Sequence, residues 1–225
     1  MNLVIFDCDG TIVDSQHMIV AAMDRAFATH GLAALPRAKT LSIVGLSLDQ
    51  AIGRLLPEAD KSLIDAVGQA YKAAFFDLRQ DPANHEPLYP GAIEAIRQLA
   101  GRDGTVLGIA TGKSRRGVNA IFDRMDLHPH FVTIQTADGH PSKPHPSMIR
   151  TAIQEVGTTA ASTVMIGDTT FDIEMAKNAE VAGIGVAWGY HPVDQLKLAG
   201  AHEIIATYDD LIPAIDRLLS PEPQP

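Results

Sequence analysis

From Pro90 onward, short apolar runs alternate with segments of helical spacing, and this constrains the fold more than any other feature. The runs TVLGIA (105–110), 131–134, TVMI (163–166), 183–187 and a short one near 203–206 read as strands. Between and around them, 91–100, 114–125, 146–156, 171–179, 192–199 and 208–219 carry helical periodicity. Runs this apolar on both faces suit buried parallel strands, and strict βα alternation implies a doubly wound parallel sheet. An additional apolar run, Leu3 to Phe6, stands alone at the start of the chain.

From Ser15 to about Asp81 the pattern is helical throughout. Met18, Ile19, Ala22, Met23, Ala26 and Phe27 recur at helical spacing, with Gly31 as a stop. Ser47 is placed as the N-cap of a short helix through Leu56, which Pro57 limits. A longer helix is expected from about 59 to 78, and QDPANHEPLYPG then reads as a linker. The expected organisation is therefore an α/β core of doubly wound, Rossmann-like type (1–14 and 87–225) with an inserted helical domain (15–86). Placed just after the first strand's carboxyl edge, that insertion can act as a lid. The tail SPEPQP is expected to fray.

With 225 residues, 46% hydrophobic and 20% charged, the chain can bury a sizeable core. A formal net charge of −9 argues against a broad basic face for nucleic acid. No apolar stretch approaches the length of a membrane span, and the first apolar run has no basic segment before it and breaks at Asp7. A cytoplasmic location is expected. Cys8, the single cysteine, excludes an internal disulfide, and its position in an extended segment makes it a small buried residue rather than a nucleophile.

Chemistry-bearing residues gather where this topology puts strand ends. Leu3 to Phe6 runs into Asp7 and Asp9, followed by Gly10, Thr11, Asp14 and Ser15. Two carboxylates this close call for a cation or a tuned acid/base pair. Thr111 and Gly112 end the strand at 105–110, and Lys113 and Ser114 open the next helix, a junction suited to an anion. This is not a nucleotide P-loop, because the required first glycine falls on Leu107. Lys143 lies beside Pro144 in a loop; the nearby His140 and His145 lack the partners of a zinc site. Gly167, Asp168 and Asp172 follow the strand at 163–166. A helix cap would explain Asp168 or Asp172 singly, but not a shared sheet edge with Asp7, Thr111 and Lys143.

These motifs, D-x-D-G-T-x-x-D-S, strand-ending Thr-Gly, loop Lys-Pro and G-D-x-x-x-D in that order, resemble the haloacid dehalogenase superfamily. More narrowly they resemble its phosphatases with a helical cap after the first motif, and the KPHP and IGDTTFD stretches resemble phosphoglycolate-phosphatase-like members. The resemblance implies that Asp7 attacks phosphorus to give an aspartyl-phosphate and that Asp9 protonates the leaving alcohol, then activates water. It implies Mg²⁺ held by Asp7, the Asp9 carbonyl and Asp168. Thr111, the Gly112 amide and Lys143 would bind phosphoryl oxygens, and Asp172 would order Lys143 or a metal-bound water. Gly45 in the cap loop (about 40–48), with Arg115 or Arg116, is the expected selector of the leaving group.

The implied activity is hydrolysis of a small phosphorylated metabolite, phosphoglycolate among the candidates. Asp9 argues against dehalogenation, and the absence of a basic residue after Gly45 (Leu46, Ser47, Leu48) disfavours a sugar-phosphate mutase. Lys39 is the nearest candidate for a Schiff-base phosphonatase, which the D-x-D pattern does not require. Pyrophosphate hydrolysis stays open. A phosphorylated receiver domain is too short to match, and a non-catalytic phosphate-binding regulator would leave Asp9 and Asp172 without a task. Oligomeric state is not legible.

Overall fold

The computed structural model describes residues 1–219; the expected fraying of SPEPQP concerns residues outside those described. Strand β1 (Asn2–Phe6) has Leu3 to Phe6 wholly buried, as a strand covered on both faces must be. It pairs in parallel with β2 (Thr105–Thr111) on one side and β4 (Thr163–Gly167) on the other. With β3 (Phe131–Thr136), β5 (Ala182–Val186) and β6 (Glu203–Ile205), the described residues form one parallel sheet in the order β3-β2-β1-β4-β5-β6. The direction of winding reverses between β1 and β4, and ligands of such sheets bind outside the strands' carboxyl ends at that reversal.

Register decides what meets there. Phe6 aligns with Ile109 of β2 and with Ile166 of β4. Asp7, Thr111 and Asp168 therefore emerge together on one edge, and the Asp7 N–H donates to the Ile166 carbonyl at 2.9 Å.

Helices cover both faces. On one, α5 (Ala92–Ala100), α6 (Arg115–Met125) and the last described helix (Leu211–Leu219) pack against Val4, Phe6, Leu107, Ile109, Val164 and Ile166. On the other, α7 (Ser147–Val156) and α8 (Thr170–Asn178) cover Leu3, Ile5 and Met165. Cys8 lies fully buried in the first layer, and burial pushes its thiol up, so it is the inert packing residue its position implied.

The helical segment after β1 comprises α1 (Gln16–Thr29), α2 (Arg37–Leu41), α3 (Leu48–Leu55) and α4 (Lys61–Arg79). Helix α2 has no counterpart in the sequence reading; five residues are too few for periodicity to register. Asp60 caps α4 by accepting from the Leu63 N–H at 2.9 Å. Ser47 occupies the N-cap position of α3 without capping it, because its hydroxyl donates to Asp49 instead. The chain leaves and rejoins the sheet layer side by side, where Val13 pairs antiparallel with Leu88 and the Asp14 N–H donates to the Pro87 carbonyl at 2.8 Å. Phe171, on α8, packs into the insertion's own core and carries the Arg54 guanidinium on its ring face at 4.9 Å.

Candidate active site

Asp7 is buried at the end of β1, and its Oδ2 accepts no hydrogen bond. Lys143 Nζ lies 2.8 Å from its Oδ1, off the hydrogen-bonding direction, and donates to Asp172 Oδ1 at 2.5 Å. Burial pushes the Asp7 carboxyl up to about 6; Lys143 opposes this and Asp172 adds to it. Burial alone would lower the Lys143 ammonium, but Asp172 and Asp7 outweigh it and hold it above its ordinary range. Asp172 does two jobs. It forms the capping box of α8, with its Oδ2 accepting from Thr169 N–H at 3.0 Å and Thr169 Oγ1 at 2.7 Å, and it anchors Lys143.

Asp168 is fully buried and held on both oxygens, by Thr11 Oγ1 at 3.0 Å and by the Tyr190 N–H at 2.8 Å. Burial, then the Asp172 and Asp7 charges, push its carboxyl well up. Gly10 and Gly189 cradle it. A Cβ on either would come within 2.2 or 2.0 Å of the Asp168 side chain, and Gly10 has φ +83°. One carboxylate oxygen from each of Asp7, Asp168 and Asp172 lies within 4.8 Å of the others. Three buried acids with one lysine between them, and an Asp7 oxygen without a partner, fit a divalent cation.

The Asp9 side chain faces elsewhere. Its Oδ1 accepts from Ser15 Oγ at 2.5 Å and from Lys113 Nζ at 2.7 Å, and its Oδ2 lies 3.0 Å from the same ammonium. The carboxylate is thus kept apart from the three-acid cluster. The fold buries Ser15 against Asp9, with Tyr190 Oη 3.2 Å from its hydroxyl.

Asp7, Asp9, Thr111, Gly112, Lys113, Gly45 and Arg116 all line one cavity of about 740 Å³ between the sheet edge and the insertion. Arg115 does not join them. Its N–H donates to Asp138 and its guanidinium to the Ile134 carbonyl, both on the flank of β3. Arg116 instead lies over the Phe76 ring at 4.7 Å. His140 bonds Ser147 and Gln135 in the partly exposed loop after β3 and does not line the cavity.

The insertion is docked onto this edge. A Cβ on Gly112 would lie 2.4 Å from the Gly45 carbonyl oxygen, so only glycine lets the 42–47 loop approach. Ser47 N–H donates to Ser142 Oγ at 2.8 Å. His191 Nδ1 accepts from Thr170 N–H, which leaves Nε2 to donate to the Ser42 carbonyl at 3.2 Å.

Residues 4–186 match the family described as Haloacid dehalogenase-like hydrolase. The chain belongs to this family. Among the curated relatives of this hydrolase is Probable phosphatase IndB of Dickeya dadantii, 39% identical over 96% of the chain and 94% of the relative. A phosphoglycolate phosphatase of Rhodospirillum rubrum is 31% identical over 98% of the chain and 92% of the relative. In fold, the hydrolase superposes on a hydrolase from Pseudomonas syringae with a TM-score of 0.86 at 23% identity, covering 98% of this chain and all of that one.

The sequence reading missed Ser15, Thr11, Lys113, Tyr190 and Glu86 as partners of the acids. Ser15, Thr11 and Lys113 stand inside motifs already singled out, so their position was a usable signal. Tyr190 and Glu86 come from loops remote in sequence, and nothing local marks them.

Proposed function

We propose that this hydrolase removes phosphate from a small phosphorylated metabolite through an aspartyl-phosphate on Asp7, with Mg²⁺ as cofactor and residues 15–86 as a cap. Phosphoglycolate is one candidate substrate, given the relatives so named, and the cytoplasm is the expected place of action. The observation that carries the reading is Asp7 itself. It is a buried strand-end carboxylate with a free oxygen, flanked by Lys143 and two further acids, beside a cavity large enough for an organic phosphate.

Asp7, Asp168 and the Asp9 carbonyl would hold Mg²⁺, which compensates charge on the phosphoryl group when bound. Lys143, anchored by Asp172, stands beside the Asp7 nucleophile and neutralises charge as the phosphoryl group arrives. Thr111 Oγ1 and the Gly112 N–H sit at the amino end of α6 and orient phosphoryl oxygens. Asp9, steadied by Ser15, gives its proton to the leaving alcohol and takes one from the water that frees phosphate, while Asp7 is regenerated. The docked 42–47 loop keeps bulk water from the phosphorylated Asp7.

Assay of the purified protein with 4-nitrophenyl phosphate tests this. Turnover is expected with Mg²⁺, is lost with EDTA, and falls by at least about 10³-fold in Asp7→Asn. Equal turnover by Asp7→Asn and the unchanged protein would overturn it.

A further inference from the structure

We propose that Lys113 is a specificity-determining residue that binds an anionic substituent, a carboxylate, on the carbon carrying the leaving oxygen. This rests on the phosphatase reading above and deepens it.

The first ground is location. Lys113 Nζ lies 2.7 and 3.0 Å from the two Asp9 oxygens and lines the cavity. A leaving oxygen protonated by Asp9 must come within one hydrogen bond of that carboxyl group. The ammonium then stands no more than two hydrogen bonds from the leaving oxygen, roughly 6 Å. A carboxylate on the adjacent carbon falls within that gap. A charge at the far end of a sugar does not.

The second ground is charge. Lys113 belongs to a cluster set at the foot of α4, where the insertion rejoins the core. Glu86 is fully buried there, 2.6 Å from Arg79, 3.8 Å from Lys113 and 3.8 Å from Arg124. Phe75 closes the group, with Arg79 at 4.8 Å and Lys113 at 5.2 Å from its ring centroid. Apart from Asp9, three cations thus share one carboxylate, in a chain whose net charge is −9. Arg79 and Arg116 line the same cavity, and Arg116 meets only the Phe76 face among its described polar and aromatic contacts. Asp49, Asp65 and Asp138 also line the cavity, but around Glu86 three cations meet only Glu86 and Asp9, and an anionic substituent there restores the balance.

The third ground is redundancy. Holding Asp9 does not need an ammonium, because Ser15 Oγ already donates to it at 2.5 Å. Desolvating a lysine for that purpose alone is costly. Glu86 and Phe75 keep the Lys113 side chain at the cavity wall, where only 8% of it is exposed. They act as positioning residues.

The test compares 2-phosphoglycolate with its neutral amide, which has nearly the same shape. The unchanged protein is expected to prefer the acid by at least about tenfold in kcat/KM. In Lys113→Met the preference should shrink to within about threefold, and Lys113→Arg should restore part of it. Each preference is a ratio taken on one sample, so partial misfolding of a variant cancels. If Lys113→Met is insoluble, Lys113→Gln takes its place in the comparison. Equal use of acid and amide by the unchanged protein, or an undiminished preference in the Lys113 variant, overturns the assignment. With 4-nitrophenyl phosphate still turned over, only the Lys113 assignment falls. If no ester is hydrolysed, the phosphatase reading falls and takes this one with it.

Discussion

Asp7 sits in tension with its own fold. Its carboxyl is pushed from the ordinary 3.8 up to about 6, because burial and then the Asp172 charge outweigh the help of Lys143. The folded, metal-free protein therefore binds a proton at Asp7 more tightly than the unfolded chain does. The resulting stabilisation is complete below pH 3.8 and is lost as pH rises through about 6. In EDTA at pH 7.5, Asp7→Asn should melt higher than the unchanged protein, and the gap should close as pH falls toward 4.5. Thermal melts of both proteins across that range check this; a gap that stays constant with pH counts against a buried, charge-crowded Asp7. Site-bearing acids commonly sit in such strained surroundings, since the arrangement that favours a cation disfavours an empty cluster.

At the scale of elements, the junction of β2 with α6 carries most of the consequence. Gly112 follows Thr111 and faces the 42–47 loop so closely that the loop's carbonyls occupy the place of a side chain. Gly112→Ala must push that loop off the sheet edge, because backbone cannot yield as a flexible side chain can. We expect kcat/KM for 4-nitrophenyl phosphate to drop by about tenfold or more, with Tm lowered by only a few degrees. Steady-state kinetics and a melt on the same sample decide it; unaltered kinetics would mean the loop docks without regard to Gly112. This junction also marks the limit of sequence reading. The strand, the turn and the opening of α6 were legible, since Thr-Gly after an apolar run is local chemistry. The neighbour that makes the glycine necessary lies about 65 residues earlier, and no local pattern reports it.

For the whole molecule, the question is what fixes the insertion to the sheet. Two paired crossings at Val13 and Leu88 set the hinge, and the buried Glu86 cluster locks it. Arg79 ends α4, Arg124 belongs to α6 and its guanidinium also donates to the Glu86 carbonyl at 2.6 Å, so one carboxylate joins both halves. Glu86→Gln leaves two guanidinium groups and Lys113 without it and should cost about 3–5 kcal/mol. Urea unfolding measures this through the midpoint at constant slope; a shift below about 0.5 kcal/mol would show that the cluster is not the lock. None of the described helices is long and apolar enough to cross a membrane, in accord with a core built from an ordinary sheet and its covering helices.

The sequence by itself determined the doubly wound core, the helical insertion, and the residues of three strand-end motifs and the loop Lys143-Pro144, because each rests on local periodicity or on neighbouring residues. The burial of Cys8 was legible too, although the residue lies just past β1 and not within it. Only the tertiary structure decided that Arg116 and not Arg115 reaches the cavity, since rotation of α6 about its axis depends on what it packs against. Only it decided that Asp9 is gripped by Ser15 and Lys113, and that Glu86 stands behind them. Register between β1, β2 and β4 brings strand ends to one edge, but how side chains pair across that edge depends on distances between segments far apart in the chain, which no local pattern encodes.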